Sequence, residues 1–150
     1  MTQKQIFIAS DHRGVALKAQ LCAWLAENGF ETKDLGPLSG AERVNASEYA
    51  VKLAEAMRKD KNAMGVLICG TGQAMAMTAN RYRHIRAAVC TNGWLARMAR
   101  AHNDANVLVL GAEIVGEGLA IDCLSTFVST PFLEGRYADR CQLLTDLGGL

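Results

Sequence analysis

The sequence predicts an α/β fold, a three-layer Rossmann-like (flavodoxin-like) domain built on a five-stranded parallel sheet with strand order 2-1-3-4-5. Three observations carry this. Short apolar runs alternate with stretches of helical periodicity along the chain. The central runs are apolar without alternation, as in strands buried on both faces. No repeat, linker or low-complexity tract divides residues 1–150, which read as one domain.

The elements follow in order. Residues 5–10 (Gln5 to Ser10) read as a buried strand. Leu17, Leu21, Trp24 and Leu25 recur at helical spacing, and Gly29 stands where a helix would stop. Residues 30–35 form a second strand. Ala50, Leu53, Ala54 and Met57 mark one face of the next helix, and Ala63–Cys69 is the third strand. A helix runs from Gly72 to about Arg81, and Arg86–Cys90 is the fourth strand. Asn92 caps a helix whose inner face carries Leu95, Met98, Ala99 and His102. Asn106–Leu110 is the fifth strand. Ala120, Cys123, Leu124 and Phe127 mark the following helix, and Tyr137, Cys141 and Leu144 a last one.

Composition removes several function classes. Half the residues are hydrophobic and the formal charge is +1, with no basic block or basic–aromatic stripe, so nucleic acid is not an expected partner. No apolar run approaches the roughly 20 residues of a membrane span, and the first residues lack the pattern of a signal peptide. The expected location is the cytoplasm. The five cysteines, Cys22, Cys69, Cys90, Cys123 and Cys141, form no CxxC pair, and the three histidines are dispersed. Reduced thiols and no metal site are expected.

In such folds ligands sit beyond the carboxyl ends of the strands, so functional residues are expected just after strands. Ser10-Asp11-His12-Arg13-Gly14 follows the first strand. Asp11 can orient a hydroxyl or move a proton, and His12 can donate to an anion; the alternative is a helix cap beside a surface histidine. Cys69-Gly70-Thr71-Gly72 follows the third strand. Its glycines permit a tight turn that aims several N–H groups at one anion, a setting that suits a reactive thiol and an oxyanion developing during reaction. The alternative is a buried cysteine before a turn. His102 and Asn103 close the fourth helix, where a satisfied core histidine and a helix cap are the competing readings. Arg136 and Arg140, four residues apart on the last helix, present two guanidinium groups on one face, suited to a phosphate or to plain solvation.

Together these islands resemble one family, the type B ribose-5-phosphate isomerases and the related galactose-6-phosphate isomerase subunits. The resemblance spans Ile6 to about Leu147 and rests on Ser10–Gly14, Ile68-Cys69-Gly70-Thr71-Gly72, Ala79-Asn80, Ile85-Arg86-Ala87, His102–Val107, and Gly135-Arg136 with Arg140. It implies an aldose–ketose isomerase of carbohydrate metabolism, in the pentose phosphate pathway, that uses neither metal nor organic cofactor. The implied reaction converts D-ribose 5-phosphate to D-ribulose 5-phosphate through ring opening and an enediolate. By the same resemblance His102 would open the ring, with Asp11 near the ring oxygen or a hydroxyl. Cys69 would carry the proton between C1 and C2. Thr71 and the loop Gly70, Gly72, Gln73 and Ala74 would stabilise the enediolate. His12, Arg136 and Arg140 would bind phosphate, and Asn103 a sugar hydroxyl. One branch of the family uses a glutamate base where Met75 stands here, which points to the cysteine branch. The family assembles as homodimers or homotetramers with shared active sites, and the last helix (about 136–147) is expected at a subunit interface.

Four departures bear on the substrate. Asn45-Ala46-Ser47 replaces a motif whose tyrosine lines the sugar pocket. Ala74 replaces a loop glycine. Met75-Ala76-Met77 makes the pocket wall more apolar. Glu113 replaces an arginine that helps bind phosphate, and it would repel that group unless it turns away or pairs with an arginine such as Arg43 or Arg81. Alternative readings are therefore an isomerase for a hexose 6-phosphate or tetrose phosphate, a catalytically weak sugar-phosphate-binding subunit, and a generic nucleotide-binding module.

Overall fold

Five short strands pair in parallel, and the order in which they do so fixes where ligands can reach the chain. The computed structural model describes residues 4–149; residues 1–3 and 150 of the expected domain lie outside the described residues. The elements are β1 (Ile6–Ser10), a 3₁₀ turn (His12–Gly14), α1 (Val15–Glu27), β2 (Thr32–Asp34), α2 (Ala46–Met57) and β3 (Met64–Cys69). There follow α3 (Gln73–Ala79), β4 (Ala87–Val89), α4 (Gly93–Asn103), β5 (Val107–Gly111), α5 (Glu117–Ser129) and α6 (Arg136–Leu147).

The sheet order is β2-β1-β3-β5-β4, with every pairing parallel. The expected order 2-1-3-4-5 is therefore corrected at one edge: β5, not β4, lies beside β3. The reason is burial. Val107–Gly111 is buried at every position, which requires a neighbour on each side, whereas Ala87–Val89 is short, small and only half-buried, as befits an edge.

Alternate residues of the strands feed two cores. Ile6, Ile8, Val66, Ile68, Leu108 and Leu110 face α1, α4 and α5, whose Leu17, Leu21, Ala96, Ala99, Cys123 and Phe127 pack against them. Phe7, Ala9, Leu67, Cys69 and Val109 face α2 and α3, meeting Leu53, Ala54, Met57, Met75 and Ala76. This is the expected three-layer arrangement. Helix α3 is shorter than its sequence pattern, ending at Ala79 rather than near Arg81.

The inner face of α4 also differs from expectation. Its buried residues are Ala96, Ala99, Arg100 and Ala101, while Leu95 is exposed. Small residues let α4 approach α5 closely, and Arg100 is tolerated inside because its charge is matched. Arg100 Nη1 binds Asp104 Oδ1 at 3.0 Å and donates to the Ala105 carbonyl at 2.6 Å, while its guanidinium lies over the Phe127 ring. Arg86 Nη2 holds the other Asp104 oxygen at 2.9 Å. Asp104 caps α4 with φ of 45°, the left-handed turn that reverses the chain into β5.

Candidate active site

The carboxyl ends of β1 and β3 carry the first cluster of residues. Cys69 ends β3 with only 5% of its surface exposed, and the Gly72 N–H donates to its Sγ at 3.1 Å. That bond needs the chain to fold back within three residues, which Gly72 allows with φ of 84°. The loop is clamped from the β5 side, where the Ala112 N–H donates to the Cys69 carbonyl at 2.8 Å and the Glu113 N–H to the Gly70 carbonyl at 3.0 Å. Thr71, Gln73 and Ala74 are exposed at the loop's outer surface. Met75, by contrast, is fully buried under the loop and offers nothing to a ligand.

The β1 island meets this loop directly. Asp11 N donates to the Ile68 carbonyl at 3.0 Å. The buried Asp11 carboxylate caps the 3₁₀ turn: its Oδ1 accepts from Arg13 N at 2.9 Å and from Gly14 N at 3.2 Å. Both bonds use one oxygen, so Asp11 caps the 3₁₀ turn as the helix-cap reading has it, and among the described residues its second oxygen accepts no hydrogen bond. The half-buried His12 is oriented by the loop before α2, whose Val44 N–H donates to its Nδ1 at 3.2 Å. With Nδ1 accepting, Nε2 carries the ring proton and is the atom that can donate to an anion.

The second cluster is elsewhere. His102 stacks on Tyr137 of α6, with ring centroids 4.3 Å apart, and its carbonyl accepts from Cys141 Sγ at 3.5 Å. Arg136 and Arg140 both lie against the same Tyr137 ring and are exposed, as is Asn103. This group sits where α4 turns back toward the start of β5. In the sheet register Val107 pairs beside Gly65, whereas Cys69 pairs beside Gly111. Four residues of strand separate the two levels, roughly 13 Å at about 3.3 Å per residue. The chain thus brings together Asp11, His12, Cys69, Gly70, Thr71, Gly72, Gln73 and Ala74 at one end of the sheet. It brings together His102, Asn103, Arg136 and Arg140 at the other.

The family model for ribose/galactose isomerases matches residues 6–144. The chain belongs to the ribose/galactose isomerase family. It is 37% identical to the ribose-5-phosphate isomerase B of Escherichia coli over 142 residues, 95% of each chain. It superposes on the ribose-5-phosphate isomerase B of Clostridium thermocellum with a TM-score of 0.92 at 40% identity, covering 95% of this chain and 96% of that one. It superposes on the Mycoplasma genitalium enzyme, solved with bound ribulose 5-phosphate, with a TM-score of 0.93 at 32% identity, covering 97% of each.

Within this ribose/galactose isomerase, two neighbours of the site carry no role in the sequence reading. The first is Arg13. Its guanidinium lies over the glycine loop, so that a Cβ on Gly70 would stand 3.0 Å from Arg13 Nη1. It also answers the question raised by Glu113, which pairs with Arg13 (Nη1–Oε1, 3.2 Å) rather than with Arg43 or Arg81. The signal available in the sequence was the position of Arg13 directly after His12. The second is Tyr137, read only as a helix-face marker. The other departures are accommodated locally: Asn45 caps α2 through Ser47 N, and Ser47 Oγ accepts from Thr78 Oγ1 at 2.8 Å.

Burial raises the pKa of Cys22, Cys90, Cys123 and Cys141. It pushes Cys90 up to about 12, with Cys123 adding to it, and burial with Asp122 pushes Cys123 up to about 11. None of the four lies on the glycine loop. Among the described residues no cluster of three metal-ligating side chains occurs, and no helix is long and apolar enough to cross a membrane.

Proposed function

We propose that this protein interconverts D-ribose 5-phosphate and D-ribulose 5-phosphate as an aldose–ketose isomerase. The observation that carries the reading is the Cys69 sulfur, fixed by the Gly72 N–H inside a loop that Asp11, His12 and Arg13 border. After the furanose opens, Cys69 as thiolate takes the proton from C2 of the aldehyde form. The electron pair moves into a C1–C2 double bond, and O1 becomes an enediolate oxygen. The Thr71 hydroxyl and the loop N–H groups not already engaged by Cys69 Sγ and Thr71 Oγ1 face that charge, which is where fixed donors lower a barrier most. Proton exchange between O1 and O2, exchange of the Cys69 proton with solvent, and delivery of a proton from Cys69 to C1 complete the ketose. The full burial of Met75 supports cysteine rather than the helix position as the base.

A separation of roughly 13 Å along the sheet leaves His102, Asn103, Arg136 and Arg140 out of reach of Cys69 within one chain. We therefore assign the complete site to a homodimer or a higher even assembly, in which a second copy brings its α4–α6 corner to the Cys69 loop. Exposed Leu143, Leu144 and Leu147 on α6 supply apolar area for such packing. Phosphate then lies between His12 of one copy and the paired arginines of the other. The five free cysteines fit a reducing, cytoplasmic setting.

A second reading, turnover of a different sugar phosphate, is favoured by the Arg13–Glu113 pair, which places a carboxylate beside the loop. A panel of aldose and ketose phosphates, followed by NMR, decides between them. The proposal expects ribose 5-phosphate to give the highest kcat/KM. A tetrose phosphate or hexose 6-phosphate turning over faster selects the second reading. Binding of sugar phosphates without any turnover identifies a subunit that needs a different catalytic partner.

A further inference from the structure

Tyr137 opens α6 and touches three of the groups assigned above to the substrate. Its ring lies nearly parallel to the His102 imidazole, with centroids 4.3 Å apart and planes inclined by 7°. With ring planes in contact at about 3.5 Å, that spacing describes an offset stack, the favoured parallel geometry of two π systems. The Arg136 guanidinium carbon is 5.1 Å from the same ring centroid, and that of Arg140 is 5.8 Å away. Arg136 Nη2 also donates to Tyr137 Oη at 3.0 Å. Among the described residues, the His102 ring makes no hydrogen bond of its own; its contact with Tyr137 is what orients it. The two arginines repel each other and are otherwise exposed, so they gain from sharing one electron-rich face.

We propose that Tyr137 is a positioning residue that sets His102, Arg136 and Arg140 as one unit, so that the ring-opening group and the phosphate clamp arrive in register. The inference rests on the roles given to those three residues under the proposed function. Long arginine side chains lose rotamer freedom when they grip a phosphate, and a pre-arranged pair loses less. An imidazole held flat can present a ring nitrogen to the sugar in one direction only, and small errors in such placement are costly. The aromatic face and the hydroxyl have separable duties: the face orients His102, while Oη anchors Arg136.

The test uses the full-length protein and two variants, Tyr137→Leu and Tyr137→Phe, with ribose 5-phosphate as substrate. Tyr137→Leu removes the face, and we expect kcat to fall roughly tenfold and KM to rise severalfold. Tyr137→Phe keeps the face, and we expect kcat within about twofold of wild type with KM still raised. In NMR spectra, the His102 carbon-bound ring protons are expected upfield in wild type and Tyr137→Phe, and to lose that ring-current shift in Tyr137→Leu. A folded Tyr137→Leu protein with wild-type kcat and KM, or an unmoved His102 signal, overturns the assignment. If Tyr137→Leu does not fold, a wild-type KM in Tyr137→Phe overturns the anchoring of Arg136. Wild-type protein without turnover defeats the functional reading instead, and the imidazole shift still decides the stack.

Discussion

Replacing Glu113 by glutamine removes one negative charge from the mouth of the site and leaves its shape almost unchanged. The carboxylate lies 3.2 Å from Arg13, with both side chains more than half exposed (57% and 54%). Such a pair contributes little to stability, about 0.2–1 kcal/mol, so Glu113→Gln should melt within a few degrees of wild type. Its effect on substrate is larger. If a phosphate dianion binds roughly 6 Å from the carboxylate, it is repelled by about 1.4 kcal/mol at a dielectric constant of about 80, close to tenfold in affinity. Screening at physiological ionic strength, where the Debye length is about 8 Å, cuts this by about half, to roughly threefold. Removing the charge also frees Arg13. The variant should therefore show KM for ribose 5-phosphate lowered by about threefold to tenfold, with kcat within about twofold and with the gain shrinking as salt is raised. Steady-state kinetics at several salt concentrations measures this. An unchanged or raised KM at low salt would show that Glu113 does not oppose phosphate and would remove the electrostatic case for altered specificity.

Two further outcomes follow from the packing. A methyl group on Gly111 would stand 2.8–2.9 Å from the backbone of Thr71, which cannot yield as a side chain can. Gly111→Ala should cost about 1–3 kcal/mol in a thermal melt and, by displacing Thr71, lower kcat/KM at least about tenfold. Gly118→Ala, which meets nothing within 4 Å on α5, should leave activity unchanged. The buried thiols Cys90 and Cys123 give a pH dependence. Their folded values lie above those of free thiols, so they favour the folded state below about pH 8.5, and that contribution is lost as pH rises through about 11 to 12. The unfolding free energy from urea titrations should fall between about pH 9 and 11, by at most about 1.4 kcal/mol per pH unit for each thiol, and less steeply in Cys123→Ala.

The layered architecture was readable because the strands are continuous apolar runs and α1, α2 and α5 carry helical stripes that the structure buries as expected. Leu17, Leu21, Leu53, Cys123 and Phe127 are all core residues. Strand order was less legible, since periodicity says which face a residue buries but not which strand lies beside it; only the contrast between Val107–Gly111 and Ala87–Val89 carried that information. The phase of α4 was misread because Leu95 suggested an apolar face, whereas alanines set the close approach and the buried Arg100 needs Asp104, four residues on, to be tolerable. The glycine loop was visible as a local pattern, because positive φ at Gly72 and close backbone contacts demand those residue types. What linear spacing does not contain is the partition of the site into two clusters at opposite ends of one sheet, the pairing of Glu113 with Arg13, or the part of Tyr137, all of which arise from contacts between distant elements.

In the proposed mechanism the Cys69 sulfur moves the proton between C1 and C2. Solvent deuterium entering ribose 5-phosphate and ribulose 5-phosphate reports that step by NMR. Cys69→Ala leaves a small cavity at the end of β3 and keeps the loop's clamps to Ala112 and Glu113, so the protein should remain folded. Wild type is expected to give rapid deuterium entry at C2 of the aldose and C1 of the ketose, and the folded Cys69→Ala variant to lose both. Deuterium entering at the wild-type rate without the sulfur would contradict that mechanism.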